Sequence, residues 1–531
     1  MTDTTISEPV LAETAWTDRR LQALAARTGA PTTDATGHIP VTAPAVDEKI
    51  GAVPELSAAD VDAAVTRTRS AAADWRATSV TERAATIETF ANLVADNRRE
   101  LLDLVQLETG KSRIDAFEEG LEVPQSADYY AGTAPSVLAT EARTSGLPLL
   151  TTAEVQYDPV GVVGVISPWN YPLTLSFTDL VPALLAGNGV VLKPDEKTPF
   201  TALRLAELLA EAGLPDGVLT VVTGDGPTVG GTLVDNVDHI TFTGSSETGR
   251  TVAERAGRNL IDCSLELSGK NPFIILADAA LKKTVRGAVT GAFTNAGQLC
   301  LATERIYVAE PLYDEFLDAF VAATAELSLG APMEYATDVG SLIDGDQLAR
   351  VESHVEDAVE SGATVQTGGN ARPDIGPYVY EPTILTDVPD DSLPACEETF
   401  GPVVTVEPVE SGASAVDVAT GSDYGLNASI WSSDTEQAKA LAGQLNSGTV
   451  CINDSHSAGW AAYDAPMGGV GQSGIGRRHG PEGLLRYTEP KTVATSRVGP
   501  LGSAPGVSDT LYTRVVTALT NAQRQLRQWR R

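Results

Sequence analysis

From Leu56 onward the chain places apolar residues at a helical period. Ser57 and Ser79 each precede an acid by three residues, Asp60 and Glu82, which is the spacing of a reciprocal N-terminal cap. Behind the second cap, Ile87, Phe90, Val94 and Leu101 recur at intervals of three, four and seven, predicting a single helix with a buried stripe. The first 50 residues show no such period and predict short strands at most. From Gln156 the pattern changes to short β-branched runs at 160–166, 189–192, 218–222 and 240–243. Between the second and third runs, residues 201–213 put Leu203, Ala206, Leu209 and Ala210 on one helical face. Strand, helix and strand at this spacing predict a doubly wound parallel sheet, whose ligands sit at the carboxyl ends of its strands. Those ends read Ser167-Pro168-Trp169-Asn170, Lys193-Pro194, Gly224-Asp225-Gly226 and Gly244-Ser245. A second α/β rhythm runs from Asn271 to about residue 460 and predicts a second sheet domain. Residues 508–531 predict an amphipathic helix, with Val515, Val516, Leu519, Leu526 and Trp529 on one side. It also carries Arg514, Arg524, Arg527, Arg530 and Arg531, and is expected to dock on the protein body or a neighbouring subunit rather than on lipid.

Composition narrows the picture. The 531 residues, 42% of them apolar, suffice for about three domains. The 71 acidic against 37 basic residues leave a net charge of −34, a field that repels nucleic-acid phosphates and anionic lipid. Neither a nucleic acid nor a membrane is therefore expected as a partner. Carboxylates this dense predict adaptation to a high-salt cytoplasm, where their mutual repulsion is screened. No apolar run nears the roughly 20 residues of a membrane span. Met1 to Thr5 carry no basic cluster, so no secretory leader is expected. Four cysteines make no disulfide framework, which points to a reducing, cytoplasmic setting. No CxxC or clustered histidines accompany them, so no metal site is expected.

Among the cysteines, Cys300 stands apart. The turn before it, Thr294-Asn295-Ala296-Gly297-Gln298-Leu299, is small and polar, a poor setting for core packing but one that can aim backbone N–H groups at an oxyanion. Cys263, Cys396 and Cys451 lie in or beside strand-like runs. Glu266 sits between Leu265 and Leu267, where an apolar setting would raise its pKa toward that of a general base working near neutrality. None of the five histidines lies near Cys300 in sequence, which makes Glu266 the better candidate base. The glycines at 224, 226 and 230 depart by one residue from the dinucleotide fingerprint and read equally well as a connecting turn. Gly244-Ser245, followed by Gly249, opens a helix and offers free N–H groups to a pyrophosphate.

These segments occur together with others in a fixed order. Pro168-Trp169-Asn170-Tyr171-Pro172, Lys193-Pro194-Asp195-Glu196, Phe242-Thr243-Gly244-Ser245, Glu266-Leu267-Ser268-Gly269-Lys270, Gly297-Gln298-Leu299-Cys300, Glu397-Glu398-Thr399-Phe400-Gly401-Pro402 and Gly474-Ile475-Gly476 resemble the signatures of the aldehyde dehydrogenases, over roughly residues 55–495. The resemblance implies an α/β fold of two doubly wound parallel-sheet domains plus a small β-ribbon. Residues 1–132 and 156–265 would bind NAD and 266–460 would form the catalytic domain. Residues 133–155 and 480–500 would form an oligomerisation ribbon of a homodimer or homotetramer, followed by a helical tail at 501–531. It implies that Cys300 attacks a small aldehyde, that Asn170 and the Cys300 N–H hold the oxyanion, and that Glu266 activates water on the resulting thioester. Ser167, Trp169, Lys193, Glu196, Gly226, Gly244, Ser245, Gly249, Leu267, Glu398 and Phe400 would contact the cofactor. Glu196 would accept the ribose hydroxyls and repel a 2′-phosphate, which favours NAD over NADP. Asn453-Asp454 and Asp464 to Gly483 resemble the succinate-semialdehyde dehydrogenase branch. That branch's best-known enzymes place arginines where this chain has Thr178 and Thr294, so their clamp on a distal carboxylate is missing at those places. Other semialdehydes, such as 2-oxoglutarate semialdehyde, and simple aliphatic or aromatic aldehydes stay open. A cysteine that some relatives carry two residues after the nucleophile is replaced by Ala302, so no local disulfide with Cys300 is expected.

Overall fold

A computed structural model describes residues 11–12, 14–29, 37–147, 150–497, 499 and 506–529 of the chain. The four β-branched runs form strands Val162–Ile166, Gly189–Lys193, Leu219–Val221 and His239–Thr243, joined by Asp262–Glu266 in one parallel sheet. Gly474–Ile475 pairs antiparallel at its edge, setting Gly474 opposite Glu266. The strands are apolar throughout because both faces are covered. Val163, Val190 and Leu192 pack into one apolar cluster, while Val162, Val191 and Ile240 pack into another on the opposite face. A seven-stranded sheet repeats the plan with strands that include Asn271–Ile275, Thr303–Ala309, Val403–Val409 and Asn427–Trp431. Its pairs are parallel except for Thr364–Thr367 against Thr383–Thr386. A third, antiparallel sheet joins Glu141–Arg143, Thr151–Pro159 and Thr488–Ser496.

Both expected capping boxes form, at Ser57 with Asp60 and at Ser79 with Glu82. The stripe behind the second is shared by two helices, however, not one. Val80–Asp96 ends at Asn97, whose side-chain amide donates to Leu93 O at 2.7 Å, and Leu101 belongs to the next helix, Arg98–Thr109. A polar residue that bonds back to its own turn competes with helix continuation, a local effect that the apolar period does not register. The N-terminal segment also holds more structure than its composition suggests. Thr17 caps the helix Asp18–Ala25, which buries Leu21 and Leu24 beside Trp16, and the hairpin Gly37–Ala43 with Glu48–Glu55 follows. Cys396 ends a four-residue helix, Leu393–Cys396, rather than flanking a strand. The C-terminal helix runs Asp509–Trp529, and its described side chains are exposed or half-buried. The side chains of Leu526, Arg527 and Trp529, all of Arg530 and Arg531, and Met1 to Thr5 lie outside the described residues. Among those described, no helix is long and apolar enough to cross a membrane.

Candidate active site

Cys300 follows the helix Leu281–Phe293 and a tight turn in which Asn295, Ala296 and Gly297 all have positive φ, of 53°, 53° and 70°. Two successive non-glycine residues in the left-handed region are costly and persist only where surrounding bonds hold them. Here Asn295 Nδ2 donates to Asn170 O at 3.2 Å and Gln298 O at 3.0 Å, and Gln298 Nε2 returns a bond to Asn295 O. A Cβ on Gly297 would lie 2.0 Å from Gly401 O, so only glycine lets the two segments meet. Beyond the turn, Asn271 Nδ2 bonds Cys300 O at 2.7 Å and Ala302 O at 2.8 Å. The nucleophile candidate is thus fixed from both sides.

Asn170 is buried, and its side-chain amide donates to Gln298 O at 3.0 Å. Its backbone carbonyl receives Lys111 Nζ at 2.7 Å, and Lys111 pairs with Glu119 at 2.6 Å in full burial. Glu119 in turn accepts from Leu173 N at 2.9 Å and Thr174 N at 3.2 Å, which open the helix Pro172–Ala186. A buried pair is tolerable when its remaining bonds are satisfied in this way.

Glu266 ends its strand in a dry setting. Its Oε1 has no hydrogen-bond partner, and burial pushes its pKa up to about 7, with Arg478 and Arg486 pulling the other way. Those guanidiniums are held by buried Asp179, which receives Arg478 at 2.6 Å and also Arg486. Burial likewise lifts the Cys300 thiol to about 12, opposed chiefly by Arg478 and reinforced by Glu266 and Glu398. In this state the sulfur is a thiol, which must lose its proton before it can attack.

Cys300 stands between two cavities. On one side is a cleft of about 600 Å³ whose wall includes Trp169, Asn170, Gly244, Ser245, Glu266, Leu267, Glu398 and Phe400. Ser245 caps the helix Ser246–Asn259, accepting from Thr248 N at 3.2 Å. Gly249 lies inside that helix, where a side chain would meet Leu267 within 2.4 Å. Glu398 accepts from Gly269 N at 2.9 Å, and its loop is held by Glu304, which takes Thr399 N and Phe400 N while paired with Lys270 at 2.5 Å. Phe400, at φ 56°, meets the Trp169 ring edge-on at 5.6 Å. A helix N-terminus with a hydroxyl cap, the half-buried Glu398 carboxyl and two aromatic rings around one open cleft suit the pyrophosphate, ribose and ring parts of a dinucleotide.

Other expected cofactor residues lie off that wall. Ser167 is buried, its hydroxyl 2.9 Å from that of Ser176. Lys193 occupies the neighbouring strand end, its Nζ 3.5 Å from the half-buried Glu196. Gly226 is exposed and opens the helical turn Gly226–Gly230, whose Val229 and Gly230 are buried. On the far side of Cys300 is a cavity of about 240 Å³, lined by Glu122, Tyr171, Leu175, Leu299, Leu301 and Trp460 among others. Neither Thr178 nor Thr294 reaches it. The sequence reading missed Lys111, Glu119, Asp179, Arg478 and Glu122. Lys111 left a trace, as one of only nine lysines in an arginine-rich chain, set in Gly110-Lys111-Ser112 just after a helix. The four cysteines are free, and no group of acids, histidines or cysteines that could hold a metal occurs among the described residues.

The profile of the aldehyde dehydrogenase family matches residues 32–493. A protein of Mycolicibacterium smegmatis named "putative succinate-semialdehyde dehydrogenase (NADP(+))" is 47% identical over 93% of this chain and 95% of its own length. The 4,4'-diapolycopene aldehyde oxidase of a Methylomonas species is 40% identical over 87% of this chain and 84% of its own. Among solved structures, betaine aldehyde dehydrogenase of Staphylococcus aureus in complex with NAD+ superposes with a TM-score of 0.86. It is 33% identical over 91% of this chain and 98% of that one. The chain belongs to the aldehyde dehydrogenase family and is an NAD(P)-dependent enzyme of that kind.

Proposed function

We propose that the chain oxidises an aldehyde to its carboxylate through a covalent adduct on Cys300. The observation that carries this reading is the placement of Cys300 between a cleft suited to a dinucleotide and a smaller, mostly apolar cavity, with Asn170 and Glu266 on the cleft wall beside it. An aldehyde entering the smaller cavity presents its carbonyl carbon to the sulfur. The thiol gives up its proton to solvent in the open cleft, and the sulfur adds to the carbonyl carbon to form a thiohemiacetal. Its oxyanion is held by the Asn170 amide and the Cys300 N–H, donors that the Lys111–Glu119 pair and the left-handed turn keep in place. That carbon would give up its hydride to a nicotinamide held in the cleft by the Ser245 cap and Glu398, which leaves a thioester on Cys300. Glu266 then draws a proton from water, which attacks the thioester and frees the carboxylate and Cys300.

Succinate semialdehyde enters as a candidate substrate through the names of the mycobacterial relatives. For the cofactor, the Glu196 carboxylate favours NAD by repelling a 2′-phosphate, while those same names point to NADP. Initial rates with both cofactors decide this, and Glu196→Gln should narrow a preference for NAD. The covalent reading is tested by two variants. Cys300→Ala should form no NAD(P)H with any aldehyde. Glu266→Gln should release one equivalent rapidly and then stall. Continued turnover by the first variant, or the absence of a burst together with normal acid release by the second, removes the assigned roles.

A further inference from the structure

The helix Arg113–Val137 lays residues 118, 122 and 125, spaced by four and three, along one wall of the smaller cavity. Glu118 and Gln125 are exposed at its mouth, while Glu122 is only 6% exposed. Neither carboxyl oxygen of Glu122 accepts a hydrogen bond, and the Thr174 hydroxyl faces it without closing one. A buried carboxyl with nothing to satisfy it is costly, and in a cavity that opens on the reacting sulfur it asks for a donor from the substrate.

The cavity offers no counter-charge to an anion. Among its described lining residues there is no lysine or arginine, and burial holds the only histidine, His456, neutral by lowering its pKa to about 4. Lys111, behind the Tyr171 ring of the cavity wall, is fully buried and already bonded to Glu119 and to Asn170 O. Glu119 is thereby ion-paired. Glu122 is not, and burial pushes its pKa up to about 8, with the nearby Thr174 hydroxyl and Arg478 opposing and Glu119 adding. A carboxylate brought in by a substrate would lose its water without gaining a cation, and once Glu118 and Glu122 ionise it would also be repelled.

We propose that Glu122 selects aldehydes whose far end donates a hydrogen bond, as a hydroxyl or an ammonium, and turns away those that end in a carboxylate. This rests on the reading of Cys300 as the nucleophile in the same cavity, and departs from the substrate suggested by the relatives' names. Leu175, Leu299, Leu301 and Trp460 would pack the apolar stem between the two ends.

The test compares kcat/KM of the full-length enzyme for hexanal, 6-hydroxyhexanal, 6-aminohexanal, 6-oxohexanoate and succinate semialdehyde. At least one of the two donor-bearing aldehydes should exceed 6-oxohexanoate and succinate semialdehyde at least tenfold and hexanal about threefold, and the better of the two identifies the donor. Glu122→Gln and Glu122→Leu should each shrink the preference over 6-oxohexanoate at least fivefold. The proposal is overturned if 6-oxohexanoate matches both donor-bearing aldehydes in the wild-type enzyme, if hexanal does, or if the preference survives both substitutions. Oxidation of hexanal without such discrimination overturns the role of Glu122 alone, whereas failure to oxidise any aldehyde overturns the nucleophile reading along with it.

Discussion

At the scale of single residues, the site is governed by burial. Glu266 has lost water and gained no hydrogen bond at Oε1, so its charged form is disfavoured until about pH 7. A base must be deprotonated to act, so the hydrolytic half-reaction should quicken as pH rises through about 7 and level off above it. Rapid-quench measurement of deacylation across pH 5.5–9 checks this, and a flat profile would remove Glu266 from that step. The same shift carries a stability cost. The folded-state pKa lies above the unfolded value of 4.5, so the protein loses stability as pH rises from one to the other. At pH 8 the loss is about 3 kcal/mol, and Glu266→Gln, which has no charge to bury, should recover part of it there and none near pH 4. Denaturant midpoints of the two proteins at both pH values read this directly. Cys300 and Glu266, which the structure sets on one cleft wall, were singled out in the sequence because their neighbours are distinctive: a small polar turn in one case, two leucines in the other. Lys111, Asp179 and Arg478 were not, because what defines them is a partner 8 to 299 residues away that no local pattern reveals.

At the scale of elements, two helices share a device. Pro172–Ala186 and Pro199–Glu211 both start with proline, and neither has a side-chain cap of its own. Each is capped from outside by a buried glutamate, Glu119 in the first case and Glu108 in the second. Glu108 receives Phe200 N at 2.6 Å and Thr201 N at 2.8 Å. Burial raises the Glu108 pKa to about 8, yet its oxygens still take both N–H groups, and removing them would leave buried donors unpaired. Glu108→Ala should therefore destabilise the fold by about 1–3 kcal/mol, with an unchanged denaturant slope and little effect on KM. A stability within about 0.5 kcal/mol of wild type would show that the cap is dispensable. Capping boxes and β-branched runs could be read from sequence because their partners are three residues away or their signal is the run itself. The helix Asp18–Ala25 escaped because its anchor is tertiary, with Trp16 Nε1 bonded to Glu100 O at 2.8 Å. The break at Asn97 escaped because an apolar stripe can continue from one helix into the next.

At the scale of the whole molecule, the net charge of −34 is the dominant feature. Self-repulsion of this size is relieved by screening, and the Debye length shrinks from about 30 Å at 0.01 M salt to about 3 Å at 1 M. The midpoint of thermal unfolding should therefore rise steeply between these salt concentrations, and a salt-independent midpoint would contradict adaptation to high salt. The two large sheets were visible in the strand–helix rhythm, since parallel strands buried on both faces must be apolar throughout. The smaller cavity was not, because it is assembled from the helix Arg113–Val137 and segments near residues 171–175, 299–301 and 456–463. The account as a whole depends on a covalent bond at one sulfur. Glu266→Gln enzyme, mixed with an aldehyde that the wild type oxidises and with NAD(P), and quenched in acid within the burst, should show an intact mass raised by one acyl group, mapped by peptide sequencing to Cys300. An unmodified Cys300 peptide in enzyme that has released its equivalent of NAD(P)H would contradict it.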